Sequence, residues 1–134
     1  FNFSLKKREI IINISSIKFL KFSVFKMDDF IETMMMSMIY EGHFYCFPPK
    51  TYLDRMDLTI IRPFLYVEEA DVIGFKNKYH LPVVKNPCPA DGATKREYIK
   101  QLIRTINHEN PGTKTRLFTA LINGHIPDWE DQNE

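Results

Sequence analysis

Two neighbouring aspartates, Asp28 and Asp29, open the stretch "KMDDFIETMMMSMIYEG". One carboxylate at a helix start can act as a cap, accepting from backbone N–H groups that lack partners in the first turn. If a strand runs into this helix, the pair also stands at a strand's carboxyl end, where open α/β sheets bind ligands. There a carboxylate could hold Mg²⁺ on a nucleotide phosphate. Cys88, in "NPCPADG", is the second candidate. A lone cysteine is commonly a small buried hydrophobe, but a thiol between two prolines projects from a rigid loop. Metal or cluster ligation there would need partner cysteines from elsewhere. The third candidate is basic: Lys95, Arg96, Lys100 and Arg104, three of them repeating at i, i+4 and i+8. Such a stripe is either a solvated helix face or a patch for an RNA backbone. His43, His80, His108 and His125 show no ligand spacing and receive no role, and Cys46, among aromatics, reads as packing.

The elements that must position these residues follow from local signals. Asp29 with Glu32 three residues on makes a D-x-x-E capping box, with Asp29 as N-cap. Gly42 ends the helix at C′. Within it Phe30, Ile31, Met34, Met35, Met36, Met38 and Ile39 leave only a thin seam of Thr33, Ser37 and Tyr40, the pattern of a helix buried in a larger core. "HFYCFPPKTYLDRMD" reads as a loop or short irregular strand, and Leu58 to Arg62 as a buried strand stopped by Pro63. "EEADVIGFKNKY" is a helix with acids first and bases last, as the macrodipole favours. "LPVV" reads as a second short strand and "KNPCPADGA" as a loop. Thr94 and Glu97 form another capping box for a helix to about Asn107, with Tyr98, Ile99, Leu102, Ile103 and Ile106 on its apolar face. A short helix follows, ending at Gly124, and then an acidic, loose tail. Strands and helices alternating over short connections imply α/β architecture with a parallel sheet. Two strands are few for an independent domain, which points to part of a fold.

The 134 residues suffice for one domain. A net charge of +1 predicts no partner by itself, so any nucleic-acid surface has to be a local patch. Two cysteines make no disulfide framework, and a reduced cytoplasmic setting follows. The run from Ile10 to Phe25 is broken by Lys18 and Lys21 and is too short for a membrane span. Residues 1–26 are rich in Phe, Ile, Lys, Asn and Ser, without Gly, Pro, Ala or Asp. Two readings stand side by side: an atypical, non-native stretch joined to a genuine domain, or a β-rich edge segment with high strand propensity.

Taken together, "DDFIETMMMSMIYEG", "FPPK", "TIIRPFLYVEEADVIGF", "LPVVKNPCPADG" and "KREYIKQLI…NPG…LFTAL" resemble the C-terminal half of the tRNA 2-thiocytidine biosynthesis family. These are PP-loop ATP pyrophosphatases of the adenine-nucleotide α-hydrolase superfamily. The resemblance runs from about Met27 to Ile122 and is more specific than any one motif. It implies a partial Rossmann-like α/β domain with a helical C-terminal part and the N-terminal half of the fold missing. The expected division is 1–26 atypical, 27–124 enzyme-like and 125–134 an acidic flexible tail. For the intact protein it implies adenylation of a tRNA cytidine at its C2 oxygen by ATP, then replacement of that oxygen by sulfur. Asp28 and Asp29 would face Mg-ATP, and Cys88 would be the third ligand of a [4Fe-4S] cluster. Lys95, Arg96, Lys100 and Arg104 remain the RNA-binding expectation. The expected partners are tRNA and a sulfur donor, without a membrane, and with homodimerisation left open. The family's "SGGKDS" loop and upstream C-x-x-C do not occur here, and Val24, Phe25 and Lys26 stand where "GHH" is usual. The chain is therefore expected to be inactive alone. A related PP-loop enzyme for another tRNA base, or a non-enzymatic RNA-binding remnant, are the alternatives.

Overall fold

The computed structural model describes residues 3–6, 9–12, 19–83, 94–126 and 129. Among the described residues five strands form one sheet: β1 (Phe3–Lys6), β2 (Glu9–Ile12), β3 (Phe19–Ser23), β4 (Lys50–Leu53) and β5 (Leu58–Ile61), in the order β1-β2-β3-β5-β4. Four helices accompany them: α1 (Met27–Met36), α2 (Glu69–Lys78), α3 (Lys95–Glu109) and α4 (Thr113–Asn123). The architecture is α/β, as the alternation of patterns implies. The sheet is mixed rather than parallel throughout: among the described strands β3 and β5 form the one parallel pairing, and the other neighbours pair antiparallel. Phe19 lies opposite Leu58 and Phe22 opposite Ile61. Residues 19–23 are thus a central strand, while β1 and β2 extend the sheet by antiparallel pairing on one side.

Beyond β5 the sheet ends with β4, which a tight turn joins to β5. Asp57 takes a left-handed conformation there (φ 45°), which aspartate tolerates better than most residues, and its Oδ1 accepts from the Tyr52 hydroxyl at 2.6 Å. The stretch expected as loop or irregular strand therefore contributes a regular edge strand. Arg62, just past β5, donates through Nη1 to the Pro48 carbonyl (2.6 Å) and to Thr51 Oγ1 (2.9 Å). Its guanidinium also covers the Phe47 ring at 4.8 Å. The expected "LPVV" strand is not formed: Leu81 to Val83 lie in no strand and are exposed, and Val84 falls outside the described residues.

The core lies where α1, α3 and α4 meet. Phe30, Ile31, Met34, Ile99, Leu121, Ile126 and Cys46 are fully buried. Burying a side chain of the larger kinds stabilises by about 1.5–3 kcal/mol. Phe47 packs against both Phe25 and Phe30, at ring distances of 4.9 and 4.6 Å. A larger residue at Gly124 would force a shift, since a Cβ there would stand 2.6 Å from the Phe44 ring and 2.8 Å from the Ala120 carbonyl oxygen. The first residues of the expected loose tail are anchored. Ile126 is buried, and Trp129 donates from Nε1 to the Cys46 carbonyl at 3.3 Å.

The methionine-rich helix is buried over its first half only. At Ser37 the hydrogen bonding widens to a π turn through Glu41, closed by Gly42 at φ 72°. A π turn shifts the side-chain register, and Met38, Ile39 and Tyr40 emerge on the surface. Burial on all sides, as the composition suggested, is therefore confined to Met27–Met34, with Met35 and Met36 partly covered.

Candidate functional site

Because β3 and β5 are parallel, their carboxyl ends lie on one side, and α1 and α2 both begin there. The two helix starts are tied by backbone and side chain. Met27 N–H donates to the Val67 carbonyl at 3.0 Å, and Asp28 Oδ2 accepts from the Glu69 N–H at 2.7 Å. Asp28 Oδ1 meets Lys114 Nζ of α4 at 2.6 Å, and the same ammonium reaches Glu68 Oε2 at 3.1 Å. Glu69 is held by Lys100 of α3 at 2.8 Å and by Lys26 at 3.3 Å. Glu32, almost wholly buried, receives Arg96 Nη1 at 3.1 Å. Around this network opens a cavity of about 410 Å³ lined by Asp28, Ile31, Glu69, Ile73, Lys100, Ile103, Arg104, Asn107, His108 and Lys114, among others.

Asp29 departs from its expected place. The helix begins at Met27 with Lys26 as N-cap, so Asp29 is the third helical residue rather than the cap. Its Oδ2 reaches back to the Lys26 N–H at 2.9 Å, the half of a capping box that a residue in the first turn supplies. At the other predicted box Thr94 does cap α3, accepting the Glu97 N–H at 3.3 Å, while the Glu97 carboxylate turns to Gln101.

Charge and burial set the ionisation of this cluster. Burial raises the Glu32 pKa, against the hydrogen bond from Arg96, and the nearby Asp29 charge adds to the rise. Burial also pushes against ionised Glu69, but the Lys100 hydrogen bond and the Lys26 charge outweigh it and bring its pKa down. Lys100 and Lys114 are partly buried, which disfavours their charge, yet contact with Glu69 and with Asp28 and Glu68 raises both. Burial pushes the Cys46 thiol up to about 12, so it stays protonated and weakly reactive.

A Mg²⁺ ligand needs a carboxylate oxygen facing the ion. Both Asp28 oxygens are engaged, one by a lysine and one by a backbone donor, and Asp29 turns toward Lys26. This donor set suits charge pairing between helix starts better than a metal shell. Among the described residues no group of three or more His, Cys, Asp or Glu side chains is placed to hold a metal ion. Cys88 lies outside the described residues.

The basic stripe is divided. Arg96 and Lys100 face α1 and α2 and pair with Glu32 and Glu69, while Lys95 sits 4.8 Å over the Tyr40 ring. Arg104 is exposed on the cavity wall and forms no ion pair among the described residues. Sequence reasoning missed Lys26, Glu68, Glu69 and Lys114, and it gave Glu32 a place in a capping box where the structure pairs it with Arg96. The acidic start "EE" of α2 was visible, but its basic partners are distant in the chain.

Over part of its length the chain is similar to proteins named tRNA-cytidine(32) 2-sulfurtransferase. The protein of that name from Citrifermentans bemidjiense is 38% identical over 101 residues, 74% of this chain and 40% of the relative. One from Geobacter metallireducens is 35% identical over 111 residues, 79% of this chain and 43% of the relative. A third, tRNA-cytidine(32) 2-sulfurtransferase 1 from Francisella philomiragia, is 35% identical over 97 residues, 72% of this chain and 38% of the relative. No family profile matches the chain. The chain is thus a partial homologue of the tRNA-cytidine(32) 2-sulfurtransferases, spanning about 40% of the length of the relatives it matches. Among the described residues no helix is long and apolar enough to cross a membrane.

Proposed function

We propose that this chain forms part of a cytoplasmic, ATP-dependent tRNA sulfurtransferase. In that reaction the C2 oxygen of a tRNA cytidine attacks the α-phosphorus of ATP and pyrophosphate leaves. Sulfur then attacks C2, and the C–O bond breaks with AMP as the leaving group. A [4Fe-4S] cluster would supply iron that carries the sulfur, and Cys88 is the residue of this chain assigned to hold it. The observation that carries the reading is the 38% identity over 101 residues to a protein of that name.

The crevice at the ends of β3 and β5 supports it, since α/β sheets place ligands there. Asp28 fixes the starts of α1 and α2 relative to one another through Glu69 N–H and Lys114. Asp29 orders the Lys26 turn that leads from β3 into α1. Both act as positioning residues at the edge of the nucleotide-binding region.

The test is a chimera. Residues 27–124 replace the matching segment of the Geobacter metallireducens relative, and 2-thiocytidine is measured by mass spectrometry of digested tRNA. The expected result is thiolated cytidine from the chimera, lost on Cys88→Ser and strongly reduced by Asp28→Ala. A folded chimera that leaves tRNA cytidine unmodified would overturn the reading.

A further inference from the structure

The carboxylates of the cavity are all answered by cations. Asp28 is paired with Lys114, Glu32 with Arg96 and Glu69 with Lys100. Among the described residues one cation on the wall is left over, the Arg104 guanidinium. His108 stands four residues further along α3, also exposed and also lining the cavity. Residues four apart on a helix are neighbours, with Cβ atoms about 5–6 Å from each other. Neither side chain has a hydrogen-bond or ion-pair partner among the described residues. The wall beside them is apolar, from Ile73 of α2 and Ile103 of α3. A guanidinium fork matches two phosphate oxygens at once, and an imidazole N–H beside it can take a third.

We propose that Arg104 and His108 form a phosphate subsite on the cavity wall that holds one backbone phosphate of the RNA substrate. This rests on reading the chain as part of a tRNA-modifying enzyme. The phosphate lies across Arg104 and His108, and the sugar covers the exposed Ile73. The paired lysines stay on their carboxylates, so the subsite adds an anion to the cleft without breaking the ties between α1, α2 and α4. Of the four residues in the basic stripe, Arg96 and Lys100 are paired and Lys95 lies off the cavity, whereas Arg104 lines it without an ion pair among the described residues. In the sequence this pair shows only as the i, i+4 step from Arg104 to His108.

The experiment uses the full chain, an unmodified tRNA transcript and a range of salt concentrations, with binding read by fluorescence anisotropy. Arg104→Ala is expected to weaken tRNA binding several-fold at low salt. It should also reduce the slope of log K against log salt by about one phosphate's worth, 0.7–0.9. Arg104→Lys keeps the charge and should restore the slope but only part of the affinity. His108→Ala should give a smaller loss in the same direction. Lys78→Ala, at the far end of α2, is the control and should change neither quantity. A parallel titration with ATP separates the two sources of phosphate. Loss of ATP binding in Arg104→Ala, with tRNA binding unchanged, assigns the subsite to a free nucleotide and overturns the RNA assignment. If the wild-type chain binds tRNA and Arg104→Ala matches it in affinity and slope, the subsite is wrong while the sulfurtransferase reading stands. If the wild-type chain binds neither probe at low salt, the subsite is overturned by that result alone. The chimera assay decides the sulfurtransferase reading separately.

Discussion

Helices α1 and α2 begin at the same edge of the sheet and are held in different ways. The first half of α1 is immersed: Phe30, Ile31 and Met34 are buried, and α3 and α4 pack against this helix. No residue of α2 is buried. Ile73, Phe75 and Tyr79 are 50, 57 and 54% exposed. What fixes α2 is its first turn, through the Glu69 N–H on Asp28, the Glu69 carboxylate on Lys100 and Lys26, and Glu68 on Lys114. Shape and apolar area place one helix, and directed polar contacts place the other. The difference matters for the cavity, because its walls include both. The α1 and α3 side is set by the core, whereas the α2 side depends on a few ionised groups.

The largest expected effect is on the immersed side. Phe30→Ala should cost about 3–5 kcal/mol in urea unfolding, the range for a large buried side chain removed from a close-packed core. A loss below 1 kcal/mol would mean that α1 is not the anchor described. On the other side, Asp28→Ala should cost about 2 kcal/mol, since it removes the partner of an ammonium and of a backbone N–H together. Its distinguishing sign is local. Amide exchange in α2 should accelerate well beyond that in α3, and equal acceleration in both helices would erase the contrast.

Acidity separates Glu69 from Glu32. Glu69 has a lowered pKa in the fold, so its unfolded form binds protons first. Its stabilisation is present above the unfolded value of about 4.5 and is lost as pH falls through the folded value. Glu32 has a raised pKa, so the folded state binds the proton first, and stability rises as pH falls toward about 4.5. Glu69→Gln should therefore flatten the stability profile below pH 4.5, and Glu32→Gln should flatten it above. Thermal melts of both variants across this range check the assignment, and exchanged behaviour would refute it. Smallest of all is Lys95→Ala. It removes a surface cation from the Tyr40 ring and should shift stability by no more than about 0.5 kcal/mol.

How far the sequence could be read follows the same division. The amphipathic face of α3, its Thr94 cap and the end of the Met helix at Gly42 were legible, because each depends on neighbours within one or two turns. The π turn was not, since nothing in "SMIYEG" distinguishes a widened turn from a regular one. β4 was only half seen, as Pro48-Pro49 masked a strand whose partner is set by Arg62 and the Asp57 turn. "LPVV" shows the opposite failure: strand propensity without a neighbouring strand to pair with. The aspartates were found, but Asp28's role depends on Lys114 and Glu69, and such pairs are invisible until the helices are docked. Cys88 and its loop belong to the family resemblance and fall outside the described residues.

The parallel pairing of β3 with β5 also sets an order of assembly. β4 and β5 are joined by a short turn, so their hairpin can close early. β3 meets β5 only after α1, the π turn and the Pro48-Pro49 segment have been gathered between them. Closing so long a loop costs entropy before its contacts return any free energy. The crevice that faces Asp28 and Glu69 does not exist in either half of that loop. A chain caught midway through folding displays a hairpin and helices but no crevice, and the crevice opens only once that long-range pairing has formed.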